Sequence, residues 1–269
     1  MGKQITIDPT DGLLTTSAGE WAKEKHRLLA QYIDASWGAR GKWGPPTYVD
    51  LYSGSGRQFI EGSGQIIDGS PLVAWGACNR HRAPFAEVLI ADAKKLVEVC
   101  ETRLKALRCP VKIAAFSAED AAVMAAKNVD SSGLHLVFAD PYNLKHLPWR
   151  VFEPLLKVPR IDLIVHFSQS DLTRNLDRYF RQDPSPLDDF APGWRRRVEH
   201  SEAVQMRGRF FEYWVGRFKA EGFKLADSVP LVVNTKSAPL YRLALFSRHD
   251  LAGKLWNSVA DKTSQGKLF

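Results

Sequence analysis

Four short β-prone runs each end in a residue group able to hold part of a nucleotide-like ligand. The first, Tyr48 to Tyr52, carries one acid, Asp50, and ends in Ser53-Gly54-Ser55-Gly56. Two glycines one residue apart let the chain turn sharply and bring bare backbone close to a ligand. The second run, Phe85 to Ile90, ends at Asp92, an acid at a position suited to accept hydrogen bonds from ribose hydroxyls. The third, Val111 to Ala115, leads to Ser117-Ala118-Glu119, a polar loop that could hold a base, although Ser117 could equally cap the next helix. The fourth, from His135, breaks at Asp140-Pro141-Tyr142-Asn143, an acid and an aromatic set by a proline. Ligands of open α/β sheets bind at the carboxyl ends of the strands, and four such ends in order are far more specific than one glycine turn.

The intervening segments have to place these ends on one edge. Glu20 to Trp37 reads as a helix against the sheet, with Trp21, Leu28, Leu29, Tyr32 and Ile33 at helical spacing; Lys25-His26 could point toward the ligand, though a solvated helix face is the reading favoured. Residues 1–18 read as a polar entry segment, and Gly38 to Pro46 ends the helix. After the glycine turn the next helix start is Ser70-Pro71, read as N-cap and first helical residue. The intervening Arg57 to Gly69 forms a hairpin-like insertion, either a flap or a surface excursion, and puts Asp92 36 residues after Gly56. Helices follow over Leu72–Arg82, Lys94–Leu107 and Ala118–Asn128. Ile161 to Phe167, apolar except for Asp162 and His166, is a central strand, with His166 read as a core histidine. A second insertion, residues 181–198, includes a Pro- and Asp-rich stretch and Arg195-Arg196-Arg197. A long helix to about Glu221, paired strands over 223–233 and 240–247, and a short helix from His249 to Trp256 complete the chain.

Composition limits the options without choosing among them. With 45% apolar and 25% charged residues the 269-residue chain has material for a core of its own. It is expected to form one domain over 1–269, with a helical extension over 1–46 and the insertions 57–69 and 181–198 near the site. The net charge of +7 makes a polyanionic partner plausible. Three cysteines, Cys78, Cys100 and Cys109, lack metal-ligand spacing, so neither a metal site nor a disulfide framework is expected. The expected compartment is the reducing cytoplasm, since neither a secretory pattern nor a membrane-spanning run is found.

A late antiparallel pair after a mostly parallel sheet is the arrangement of S-adenosylmethionine-dependent methyltransferases. The expected fold is therefore α/β, a Rossmann-like methyltransferase sheet with helices on both faces. DLYSGSG at Asp50–Gly56 resembles the Asp-x-Phe-x-Gly-x-Gly form of the first methyltransferase motif, and Asp140-Pro141-Tyr142-Asn143 is similar to the Asp-Pro-Pro-Tyr motif of amino-group methyltransferases. Several features together resemble the three-Cys-motif partner family, TcmP, over roughly residues 20–257. They are Lys25-His26, DLYSGSG, the delayed Gly69-Ser70-Pro71, ADPYNL, IDLIVHF with Asp171-Leu172-Thr173-Arg174-Asn175, and the YRLALFSRHDLAGKLW ending.

That resemblance implies a bacterial protein associated with a separate cysteine-motif protein. It also implies that Asp50, Gly54 and Gly56 shape an S-adenosylmethionine pocket, that Asp92 holds ribose, and that Ser117, Ala118 and Glu119 lie by adenine. Asp140 and the adjacent carbonyls would accept hydrogen bonds from a nucleic-acid amine, with Tyr142 stacking on the base. With one proline instead of two, Tyr142 falls one position early and Asn143 takes the aromatic slot. Two other readings are carried forward: a non-catalytic or cofactor-binding partner module, and a nuclease built on Asp183, Asp188 and Asp189.

Overall fold

A computed structural model describes residues 4–81, 83–198, 203–234 and 236–265. The main sheet contains β3 (Thr47–Asp50), β6 (Glu87–Ala91), β7 (Val111–Ala115), β8 (His135–Ala139), β9 (Ile161–Phe167), β10 (Lys224–Leu225), β11 (Leu231–Val233) and β12 (Pro239–Ser247). Its order is β7-β6-β3-β8-β9-β12-β10, with β11 also on β12. The first five strands run parallel, and β12 is antiparallel to β9, β10 and β11. Two chain directions leave β3, outward through β6 and β7 and outward through β8 and β9, so the sheet's switch point lies at β3/β8. This is the Rossmann-like methyltransferase fold expected from the sequence.

Period-two alternation decides which helices each strand residue meets. Tyr48, Val88, Ile90, Leu136, Phe138 and Ile164 share one apolar cluster with α1 (Trp21–Ala35), α3 (Ser70–Cys78), α4 (Lys94–Ala106) and α10 (Asp250–Gln265). Val49, Leu89, Val137, Leu163 and Val165 face the other cluster, built from α5 (Ala118–Asn128), α7 (Gln169–Arg181), α9 (Ala203–Ala220) and the short α6 (Phe152–Leu155) and α8 (Pro186–Phe190). Trp214 of α9 centres that face, with ring contacts to Phe152, Phe167, Phe190, Phe218 and Phe246. A four-residue helix α2 (Trp37–Arg40) follows α1.

Residues 1–18 are not merely a polar entry segment, nor is 1–46 only helical. β1 (Ile5–Ile7) and β2 (Leu14–Ala18) join β4 (Arg57–Ile60) and β5 (Ile66–Asp68) in a second sheet, ordered β1-β2-β4-β5. The insertion after the glycine turn is thus a hairpin, β4 antiparallel to β5. Arg103 of α4 ties it down: its guanidinium grips Asp11 through two bonds of 2.7 and 2.9 Å and donates to the carbonyls of Leu14 and Ser55. Arg57 adds Asp8 and Asp11.

Other boundaries shift. The N-cap of α3 is Gly69, with Ser70 and Pro71 inside the helix, which ends at Cys78. The last helix does not stop at Trp256 but runs to Gln265, because Val259 and Ala260 continue its buried stripe. The 181–198 stretch holds α8, capped by Ser185 in a capping box with Asp188. Of the long helix, α9 begins at Ala203; residues 199–202 lie outside the described residues, as do 266–269 of the tail.

Candidate functional site

The carboxyl edge of the main sheet gathers the residues singled out in the sequence. Asp92, at the end of β6, accepts a hydrogen bond from Gly54 N at 2.8 Å through Oδ2 and from Ala93 N at 2.7 Å through Oδ1. The glycine loop is thereby fastened to the neighbouring strand end. Gly54 and Gly56 have φ of +56° and +83°, which glycine adopts without penalty. A cleft of about 380 Å³ opens at this edge, lined by Leu51, Tyr52, Asp92 and Ser117–Glu119 on one side and by His146, Pro148 and Arg150 on the other; Asp50, Gly54, Gly56 and Asp140–Asn143 are not among its lining residues.

Phe116 also lines the cleft with 54% of its surface exposed, a flat apolar face not singled out from sequence. Its signal was an aromatic residue between a strand and a capped helix. Ser117 caps α5, its hydroxyl accepting from Asp120 N, and it also borders the cleft. Asp189 of the second insertion reaches the opposite wall, 3.5 Å from Arg150, which is itself 3.6 Å from Glu119. Acid, aromatic face, polar loop and a glycine turn whose Gly54 Cβ position has no neighbour within 4 Å form a donor set suited to a nucleoside.

Asp50 lies behind the loop, fully buried. Its carboxylate accepts from Tyr48 Oη at 2.8 Å, Tyr52 N at 3.2 Å and the Ser70 hydroxyl. Burial outweighs these bonds and pushes the carboxyl up from 3.8 to about 7. An acid held above its unfolded value binds its proton more tightly in the fold. Its contribution is therefore complete below about 3.8 and is lost as the pH rises through about 7. Asp50→Asn, which never ionises, is expected to gain in melting temperature over the unsubstituted protein as the pH climbs from 4 to 8. A constant offset across that range would contradict the buried charge.

Asp140 follows β8 with the parity of Leu136 and Phe138, which points it at α1. Lys25 is only 7% exposed, and its ammonium pairs with Asp140 Oδ2. The solvated-face reading of Lys25-His26 is thus overturned: both continue the stripe Ala22, Lys25, His26, Leu29, Tyr32, Ile33 that faces the sheet. His166, two residues beyond Ile164 on the same face of β9, brings Nδ1 to 3.7 Å from Asp140 Oδ1 and its ring to 4.4 Å from that of Tyr241. Tyr241 in turn donates to the carbonyl of Trp21. His166 belongs to a polar cluster at the strand ends and not simply to the core.

Pro141 is buried, whereas Tyr142 is 54% exposed, with His146 edge-on at 6.2 Å. Asn143 acts locally, since its side-chain oxygen caps the 3-10 turn Leu144–His146 and meets His146 Nδ1 at 2.6 Å. Two further residues fix this loop, neither of them singled out from sequence for that role. Asp171, 5% exposed, accepts from Leu144 N and from Tyr179 Oη, and Tyr52 Oη donates to the carbonyl of His146 across the cleft.

Two of the acids behind the nuclease reading, Asp188 and Asp189, are engaged with other side chains. Asp188 accepts from Ser185 N, Trp194 Nε1 and Arg195, and among the described residues no three His, Cys, Asp or Glu side chains converge as a metal site requires. Among them, too, no helix is long and apolar enough to cross a membrane.

The strand order and this edge are those of a Rossmann-like methyltransferase fold. Among solved structures, the chain is similar to protein LPL1258 of Legionella pneumophila, described by the family model DUF519. The two are 11% identical over 92% of this chain and 93% of that one, with a TM-score of 0.53. Looser likenesses include an O-methyltransferase from Bacillus cereus in complex with SAH, 11% identical over 81% of this chain and 80% of that one at TM-score 0.45. Another is the methyltransferase domain of bacterial CtHen1, 13% identical over 83% and 97% at TM-score 0.42. No family model and no curated protein matches the chain.

Proposed function

We propose that the chain is an S-adenosylmethionine-dependent methyltransferase acting on an amino group of a nucleic acid. The observation that carries this reading is one sheet edge bearing both the cleft with Asp92, Phe116 and Ser117–Glu119 and, after β8, Asp140 and the exposed Tyr142, whose ring meets the cleft residue His146. Bound there, S-adenosylmethionine supplies an activated methyl group. Asp50, Gly54 and Gly56 shape the loop, Asp92 takes ribose hydroxyls, and Ser117, Ala118 and Glu119 with Phe116 take the adenine.

On the acceptor side the residues act by placement. Lys25 orients the Asp140 carboxylate, whose two oxygens are the acceptors at this corner. An incoming amine can donate to it and present its own lone pair to the cleft. The exposed ring of Tyr142 offers a stacking face for an extruded base, and the net charge of +7 favours a phosphate backbone. The position of Asn143, tied into a cap, assigns it to shaping this corner.

The test is incubation of the purified protein with methyl-labelled S-adenosylmethionine and total RNA, duplex DNA or single-stranded DNA, followed by mass analysis of the nucleosides. A base methylated on an exocyclic amine is the expected product. No labelled base from any of the three, with the donor demonstrably bound, would overturn the amine assignment.

One observation favours a second reading. The Lys25 ammonium sits on Asp140, where an acceptor nitrogen would donate, as in a site that has given up transfer. The chain would then be a methyltransferase-shaped partner of a separate cysteine-motif protein, in line with the TcmP resemblance. Either role suits a bacterial cytoplasm, where the buried Cys78, Cys100 and Cys109 would remain thiols.

A further inference from the structure

A second recess, of about 490 Å³, opens at the amino edge of the main sheet. Lys42 and Trp43 precede β3, Leu134 precedes β8, Asp162 begins β9 and Ser247 ends the antiparallel β12, so all five mark the edge opposite the proposed donor cleft. The seven residues of β9 separate the two by roughly 20 Å. Ligands of such sheets are expected at the other edge, so the fold itself does not account for this recess.

Its floor is polar and built. Asp162, 5% exposed, accepts from Tyr32 Oη at 2.7 Å and from the Ser247 hydroxyl, and burial raises its carboxyl from the ordinary value. A carboxyl group with two donors bound retains acceptor capacity. Ser36, also on the lining, receives Arg40 Nη1 at 2.6 Å. Arg40 is 2% exposed, and its Nε and Nη2 have no hydrogen-bond partner among the described residues.

The walls are apolar, with Ile161, Ala252 and Leu255 on the lining and Tyr32 bordering it at 1% exposure. The mouth is aromatic and cationic: Trp43 is 48% exposed, the Arg160 guanidinium lies 4.2 Å from its ring centroid, and Lys42 makes no ion pair among the described residues. His249 also borders the recess, while Arg248 is spent on the carbonyls of Leu156, Val158 and Glu221.

We propose that this recess binds a mononucleotide-sized aromatic anion, with a hydrogen-bond donor reaching Asp162, a flat ring between the apolar wall and Trp43, and an anionic group at Lys42 and Arg160. The volume and the mostly apolar lining with a few convergent polar groups are those of a small-molecule site. The assignment does not depend on the methyltransferase reading.

The probe is adenosine 5′-monophosphate, whose exocyclic amine and phosphate match the two ends, titrated calorimetrically into the full chain. Saturable binding at submillimolar concentration is expected, weakened by about ten-fold or more in Arg160→Glu and unchanged in Asp92→Ala. Asp92 fastens the Gly54 turn and Arg160 donates to the Ser131 carbonyl, so circular dichroism and the melting temperature of both variants check the fold before titration. Adenosine without the phosphate should bind the unsubstituted protein more weakly and lose nothing further in Arg160→Glu. No heat at millimolar nucleotide would overturn the proposal, as would binding that is lost in Asp92→Ala and kept in Arg160→Glu. Sedimentation showing a dimer that Trp43→Ala dissociates would also overturn it, since the recess would then be an interface between two copies.

Discussion

Asp140→Ala is expected to abolish methyl transfer and to lower stability by about 3–5 kcal/mol, the range for breaking a buried ion pair from one side. The stability loss arises in Lys25, whose 7% exposure leaves the ammonium no route to solvent once its partner is gone. Adding Lys25→Met removes the orphaned charge, so the double variant should regain most of the lost stability in urea titrations while remaining inactive. Binding of the demethylated donor should survive in the double variant, because the acceptor corner is separate from Asp92. Recovery of transfer along with stability would remove Asp140 from the acceptor site. A partner-only protein would show the same stability pattern with no activity at any stage.

Gly56→Ala should be nearly as damaging, and Gly54→Ala should not, although both belong to one motif. A Cβ at Gly56 would stand 2.8 Å from Leu72 Cδ1 and 3.1 Å from Cys100 Sγ, at a φ of +83°. Backbone strain of about 1–2 kcal/mol and overpacking of about 1–3 kcal/mol add to a loss of roughly 2–5 kcal/mol. At Gly54 the φ is +56° but nothing lies within 4 Å, so only the strain of about 1–2 kcal/mol applies. Gly54→Ala should therefore fold and, on the proposed function, show its defect in donor binding. Denaturant midpoints and donor titrations on the two variants separate these outcomes; equal midpoints would contradict the packing account of Gly56.

What the sequence made legible follows from how local each signal is. β8 and β9 were readable because apolar runs ending in polar residues specify both a strand and its edge. Parity then contained more than was drawn from it: Asp50, Asp140, Asp162 and His166 all share the face that meets α1 and α3, and only the sheet order shows which residue each one meets. For Lys25 charge and spacing point opposite ways, and the structure follows the spacing, which sets it on the same stripe as Leu29 and Ile33. β1 and β2 carried little signal, since LTTSA is short and polar and its pairing with β4 is long-range. The Arg103 clamp on Asp11 spans 92 residues, a distance over which sequence patterns say nothing. Phe116 and Asp171, by contrast, sat beside recognised strand ends and could have been found by asking what borders each loop.

The central claim is that the carboxyl-edge cleft binds S-adenosylmethionine through Asp92. Calorimetric titration of the purified chain with S-adenosylmethionine and its demethylated product, in parallel with Asp92→Ala, tests it most directly. Saturable binding of both ligands, weakened by about a hundred-fold in the variant, is the predicted result. No heat at millimolar ligand, or equal affinity in the two proteins, would contradict it.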